Sequence, residues 1–258
     1  MPATITLAIK TYSEKHLEVV DKFLKSKLKG LKVKIQVCGT RNSWVQASIS
    51  DEDENIALRY ISEEMGICPN TIEEIKRFST LKGYITSINK DRIIIDIGVF
   101  SPQKVEAVLT LQHLQAQLAD GRKLALMRLA ELYGFCENLP LTVKALNMKR
   151  EENGIETMFS ERQLKIYRGW MQSLLDRLIV LGATREEVMS SLKITRCLRD
   201  IVDVESLGLF ENAIVCKLGT DAAGLIPKIG KQLSNAVITV FSPRKVLEFF
   251  GENALLEK

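Results

Sequence analysis

Between residues 80 and 160 the chain carries five short strand-like runs, with helical periodicity only between the third and the fourth. Lys82–Ile88 and Arg92–Val99 flank the turn Asn89-Lys90-Asp91 and read as a hairpin. Ile93, Ile95 and Ile97 mark one face of its second strand, and Ile94 makes the run nearly continuous, so part of the other face is expected to be covered too. Val105, Ala107, Leu109 and Leu111 alternate as a third strand. Leu114 and Leu118, closed by Gly121, and then Leu124–Tyr133, stopped at Gly134, recur at helical spacing. Leu141–Met148, the turn Glu152-Asn153-Gly154 and Ile155–Phe159 complete the block.

We read residues 80–160 as an OB-like five-stranded barrel, with Gly83 and Gly98 at the bends that closure requires. Residues 1–79 read as an N-terminal βαββα α/β sandwich. Ile5, Leu7 and Ile9 form a strand, Ser13 caps a helix bearing Leu17, Val20, Leu24 and Leu28, and Val33, Ile35 and Val37 form the next strand. A third strand covers Trp44–Ile49, Asp51–Glu54 open a second helix, and a capping box Thr71…Glu74 opens a short last one. Residues 161–258 read as a connector helix followed by a ferredoxin-like βαββαβ unit. Capping boxes are expected at Ser160…Gln163 and Thr184…Glu187, and Ser242-Pro243 caps the final helix. The fold class is therefore α+β in three modules.

Chemistry is sparse. The chain has 2 His, His16 and His113, and both read as surface residues among polar neighbours. No GxSxG, HExxH, P-loop or GxGxxG is present, and Asp51–Glu54 suit a helix start without any metal. Cys38, Cys68, Cys136, Cys197 and Cys216 are scattered with no CxxC pair, which excludes a disulfide framework or zinc ribbon and predicts buried free thiols in a reducing cytoplasm. No apolar run reaches membrane-spanning length, and the alternating N-terminus is unlike a signal peptide. The expectation is a non-enzymatic cytoplasmic protein with no cofactor, no metal and no membrane partner.

Charge points to an anionic partner only locally, because 36 Lys+Arg against 32 Asp+Glu leaves a net +4. Lys27, Lys32 and Lys34 crowd the end of the first helix and the next strand, where Lys32 and Lys34 share a face with Gln36. On the barrel block Lys82, Lys90, Arg92, Lys104, Lys144, Lys149 and Arg150 lie on or beside strands and turns, and Tyr84 is the aromatic of the first strand, placed to stack a base. These residues are the candidate nucleic-acid-binding set. They favour phosphate contacts or docking on structured RNA over sequence-specific reading. A second candidate is the strand-to-helix turn Gly219-Thr220-Asp221-Ala222-Ala223-Gly224, where Asp221 is expected to cap the helix and the backbone to receive a small anion.

Several segments together resemble an archaeal family of uncharacterised proteins. These are Lys82-Gly83-Tyr84-Ile85, Ile95-Asp96-Ile97-Gly98-Val99, Asn138-Leu139-Pro140-Leu141, Arg199-Asp200-Ile201-Val202 and Val215-Cys216-Lys217-Leu218-Gly219-Thr220-Asp221. The resemblance implies an archaeal, cytoplasmic origin and brings no catalytic residues. The central block resembles RNA-binding barrels of ribosomal and translation proteins. Asp221–Leu233 resembles the helix opening of ACT-type amino-acid-sensing domains, although Ala223 stands where that motif has Pro. The leading expectation is an RNA-binding accessory of translation or transcription. The alternatives are a protein–protein adaptor and a small-ligand regulator acting through Gly219–Gly224.

Overall fold

The alternation that opens the chain becomes β1 (Ala3–Lys10), followed by α1 (Lys15–Lys27), β2 (Lys34–Arg41), β3 (Trp44–Ser50) and α2 (Glu54–Glu64). The computed structural model describes residues 3–149 and 154–251. The three strands form an antiparallel sheet in the order β1-β3-β2. Leu7, Ala47 and Ile49 on its inner face bury against Val20 and Leu24 of α1 and Ala57 and Ile61 of α2. Two expected caps are absent. Ser13 uses its carbonyl, not its hydroxyl, to receive the His16 N–H, and α1 starts without a side-chain cap. Thr71 also makes no cap bond. Glu74 accepts from the Asn70 N–H at 2.9 Å instead, and the segment closes as a single 3₁₀ turn, Ile72–Glu74.

The central block closes into a five-stranded barrel. Its strands are β4 (Thr80–Ile88), β5 (Arg92–Val99), β6 (Val105–Thr110), β7 (Pro140–Lys149) and β8 (Gly154–Phe159), with α3 (Leu111–Leu118) and α4 (Leu126–Tyr133) between β6 and β7. The order around the barrel is β4-β5-β6-β8-β7, with β6 and β8 parallel and the other pairs antiparallel. This is the strand order of an OB-like barrel. The expected turn at Glu152-Asn153 lies outside the described residues. Gly98 does more than bend a strand. At its φ of +73°, a Cβ would lie 2.5 Å from the Cys68 sulfur, so the missing side chain admits the first module.

α5 (Glu161–Ser173) leaves the barrel from a half-formed capping box. The Ser160 hydroxyl accepts from the Gln163 N–H, but the Gln163 side chain accepts from the Thr142 N–H at 3.0 Å and ties the helix to β7. The last module contains β9 (Arg177–Leu181), α6 (Arg185–Ile194), β10 (Ile201–Ser206), β11 (Glu211–Cys216), α7 (Ala222–Gly230), β12 (Val237–Phe241) and α8 (Pro243–Phe250). Its antiparallel sheet runs β10-β11-β9-β12, which resembles the ferredoxin-like arrangement. The Thr184–Glu187 capping box forms in both directions. Pro243 starts α8 as expected, whereas the Ser242 hydroxyl donates to Asp176 at 2.8 Å rather than capping.

The barrel and the last module share one core. Tyr133, Phe159, Tyr167, Trp170 and Phe241 pack with neighbouring ring centroids 5.2–6.2 Å apart, so α5 is a seam rather than a tether. The first module docks on the barrel through Ala8, Trp44, Cys68, Tyr84 and Phe100. This covers the second half of β5, as the continuous apolar run suggested. His16 corrects the surface reading. It is buried, stacks on Phe210 of the last module at 3.9 Å, and takes the Tyr12 N–H on Nδ1 at 3.2 Å, and burial lowers its pKa. His113 is half-buried, with Nε2 3.3 Å from Glu156. Of the thiols, Cys68, Cys197 and Cys216 are buried and Cys136 half-buried, whereas Cys38 on the edge strand is exposed.

Candidate nucleic-acid interface

Most of the expected basic residues have local partners. Lys32 pairs with Glu52 at 2.9 Å and Lys34 with Asp51 at 3.6 Å, so acids from the start of α2 half-neutralise the β2 face. Lys27 lies 5.5 Å from the Phe23 ring at the end of α1. Lys90 is exposed at the β4–β5 turn, beside Arg92 paired with Asp91 at 3.1 Å. Lys104 precedes β6 and pairs with Glu106 at 2.7 Å. Arg150 and the Lys149 side chain lie outside the described residues.

Two residues of the candidate set face inward. Tyr84 is 1% exposed, packs edge-on to Trp44 at 5.3 Å, and its hydroxyl accepts from the Lys10 N–H at 3.4 Å. It has no free face for a base. Lys82 is drawn into the junction of the three modules, where its ammonium donates to the Met65 carbonyl at 3.4 Å. Burial lowers its pKa, and Glu211 opposes that shift. Glu211 itself is fully buried and accepts from the Tyr12 hydroxyl at 2.8 Å, and burial pushes its carboxyl up to about 7. Gly208 is part of this packing, since a Cβ there would collide with the Glu211 carboxylate.

The exposed aromatic on this side of the molecule lies just before β4. Phe78 is 53% exposed and holds φ at +67°, where a bulky side chain is strained. Its N–H donates to the Ala145 carbonyl at 2.8 Å, and the Ala145 N–H donates to the Ser79 carbonyl at 3.0 Å, so ladder bonds to β7 hold the conformation. The Arg77 guanidinium lies 4.7 Å from the ring centroid and the Lys144 ammonium 5.5 Å. Lys76 and Arg77 also line an adjoining groove of about 220 Å³ floored by Ile75, Ala145 and Ile155. Among the described residues no carboxylate pairs with Lys76, Arg77 or Lys144. Of the expected set, Lys144 alone belongs to this cluster. Phe78, Arg77 and Lys76 were missed because they fall between two modules, although the basic-basic-aromatic triplet directly before a strand was there to be read. Lys90 sits past the far end of β4, roughly 25 Å from Lys144 at ~3.3 Å per residue.

The Gly219–Gly224 turn is built differently from the anion site expected of it. Gly219 takes φ +85° and the Thr220 hydroxyl donates to the Asp200 carbonyl at 3.4 Å. Asp221 makes no side-chain cap bond. Its carboxylate overhangs Gly224, where a Cβ would lie 2.8 Å from Oδ2, so a negative group already stands at the start of α7. Among the described residues no group of three His, Cys, Asp or Glu is placed to hold a metal, and no helix is long and apolar enough to cross a membrane.

Comparison with solved structures returns distant similarity. An uncharacterised protein from Methanocaldococcus jannaschii is 17% identical with a TM-score of 0.24, over 34% of this chain and 96% of that one. A chain of the a/eIF2alpha–aDim2p–rRNA complex from Pyrococcus horikoshii is 8% identical with a TM-score of 0.26, over 49% and 70%. The intact alpha subunit of aIF2 from Pyrococcus abyssi is 8% identical with a TM-score of 0.27, over 66% and 98%. No curated protein matches the chain. The models of the DUF2110 N-terminal, central and C-terminal domains match residues 4–71, 76–171 and 175–241, so the chain belongs to the DUF2110 family.

Proposed function

We propose that this protein is a non-enzymatic RNA-binding accessory of archaeal translation or transcription, and that it holds RNA at the Phe78 end of the barrel. The observation that carries the reading is Phe78 itself, a half-exposed ring kept at φ +67° beside cations that pair with no carboxylate among the described residues. Strain of this kind costs on the order of 1 kcal/mol or more. An exposed ring repays little of that cost in folding. It does offer a π-face for a base, and Lys76, Arg77 and Lys144 stand where the flanking phosphates would run.

The test is a salt series with a short single-stranded RNA, read by fluorescence anisotropy. Three cations on single-stranded phosphates predict a log–log slope near −2, from about −0.7 per phosphate. Lys144→Gln lowers the magnitude of that slope by about one phosphate's share. Absence of binding at low salt, or a flat salt response, contradicts the proposal.

A further inference from the structure

A second recess opens where the three modules meet. It encloses about 390 Å³, within the range of small-molecule sites, and its walls come from the Met65–Pro69 segment, from β4 and β7, from α5 between Arg162 and Trp170, and from Ser206 and Leu207 of the last module. Two cations line it, Lys82 from β4 and Arg162 from α5. Among the described residues neither enters an ion pair, and the ammonium of Lys82 has only its 3.4 Å contact to the Met65 carbonyl. Burial lowers the Lys82 pKa, the Glu211 carboxylate opposes that shift, and Arg162 adds a smaller repulsion. Two cations that line one recess, neither in an ion pair among the described residues, suit an anion that both can bind. Glu63 and Glu64 also line the opening. Both are exposed, Glu63 is held by Arg59 at 3.0 Å, and neither is among the charges acting on Lys82. Trp170 closes the apolar side.

We infer that this recess binds the phosphate group of a phosphate monoester. The site does not rest on the barrel reading, and its chemistry serves a small phosphorylated metabolite or the phosphorylated end of a nucleic acid. The experiment is calorimetric titration of the full chain with 5′-AMP, adenosine, and a short oligonucleotide with and without a 5′-phosphate, in a Phe78→Gly background that removes the barrel contact. Trp170 fluorescence reports occupancy of the recess. Saturable binding of 5′-AMP but not adenosine supports the site and identifies a small ligand. Binding of the phosphorylated oligonucleotide alone supports it and identifies a nucleic-acid end. Arg162→Gln, an exposed change, weakens either by about ten-fold, the worth of one charge-assisted hydrogen bond. Lys82→Met does the same, and in the wild type affinity falls as pH rises through the lowered Lys82 pKa. Equal binding with and without phosphate, no binding of any phosphorylated probe, or an Arg162→Gln protein that binds as wild type overturns the inference.

Discussion

The first half of β4 and the residues just before it carry the same residue types and use them in opposite ways. At Lys82 and Tyr84 a cation and an aromatic turn inward, and the ring is 1% exposed against Trp44 beneath the docked first module. Just before the strand, Phe78 with Arg77 and the facing Lys144 turns outward, and the ring is 53% exposed. Tyr84 holds the first module on the barrel, whereas the Phe78 ring is left for a partner. Composition does not separate them. What separates them is which side of the barrel the first module covers.

The largest expected effect lies at the buried ring. Tyr84→Ala removes a fully enclosed ring and is expected to lower unfolding free energy by on the order of 3–5 kcal/mol in urea titration. A loss below about 1 kcal/mol would mean that the first module docks without this ring.

Next comes the pH dependence of the same junction. Burial raises the Glu211 carboxyl from 4.5 to about 7 in the folded protein. The folded state therefore favours the neutral acid, and the unfolded chain ionises first. The stabilising contribution is complete below about pH 4.5 and is lost as pH rises through about 7, with a total on the order of 3 kcal/mol. Glu211→Gln is expected to flatten that part of the stability profile. An unchanged profile assigns the pH dependence to other groups.

Smaller again is the contrast between the two basic surfaces. Arg77→Glu with Lys144→Glu is expected to weaken RNA binding roughly thirty-fold, on the order of 2 kcal/mol. Lys32→Glu with Lys34→Glu, at positions already facing Glu52 and Asp51, is expected to change binding less than about three-fold and stability by about 0.5 kcal/mol or less. Filter binding of both doubles side by side reads the difference. A larger loss from the β2 pair returns the interface to the first module.

What was legible in the sequence was local. The barrel's strand order, the Thr184–Glu187 box and the Gly134 helix stop follow from spacing and backbone preference, and each forms as read. What was not legible depends on contacts far apart in the chain. His16 looks polar on its own helix and is buried only because Phe210 reaches it from the last module. Gln163 completes no capping box because Thr142 offers it a better partner. Tyr84 reads as a stacking residue until Trp44 covers it, and Phe78 draws no reading at all until β7 pins it into the ladder.

On the proposed function, Phe78 is held strained and exposed because it meets RNA. Phe78→Gly tests it most directly, since glycine accepts a φ of +67° without strain and removes the ring. The account predicts a melting temperature equal to or above that of the wild type, together with RNA affinity about ten-fold weaker, as expected for one lost stacking contact. Unchanged RNA affinity in a folded Phe78→Gly protein would contradict it.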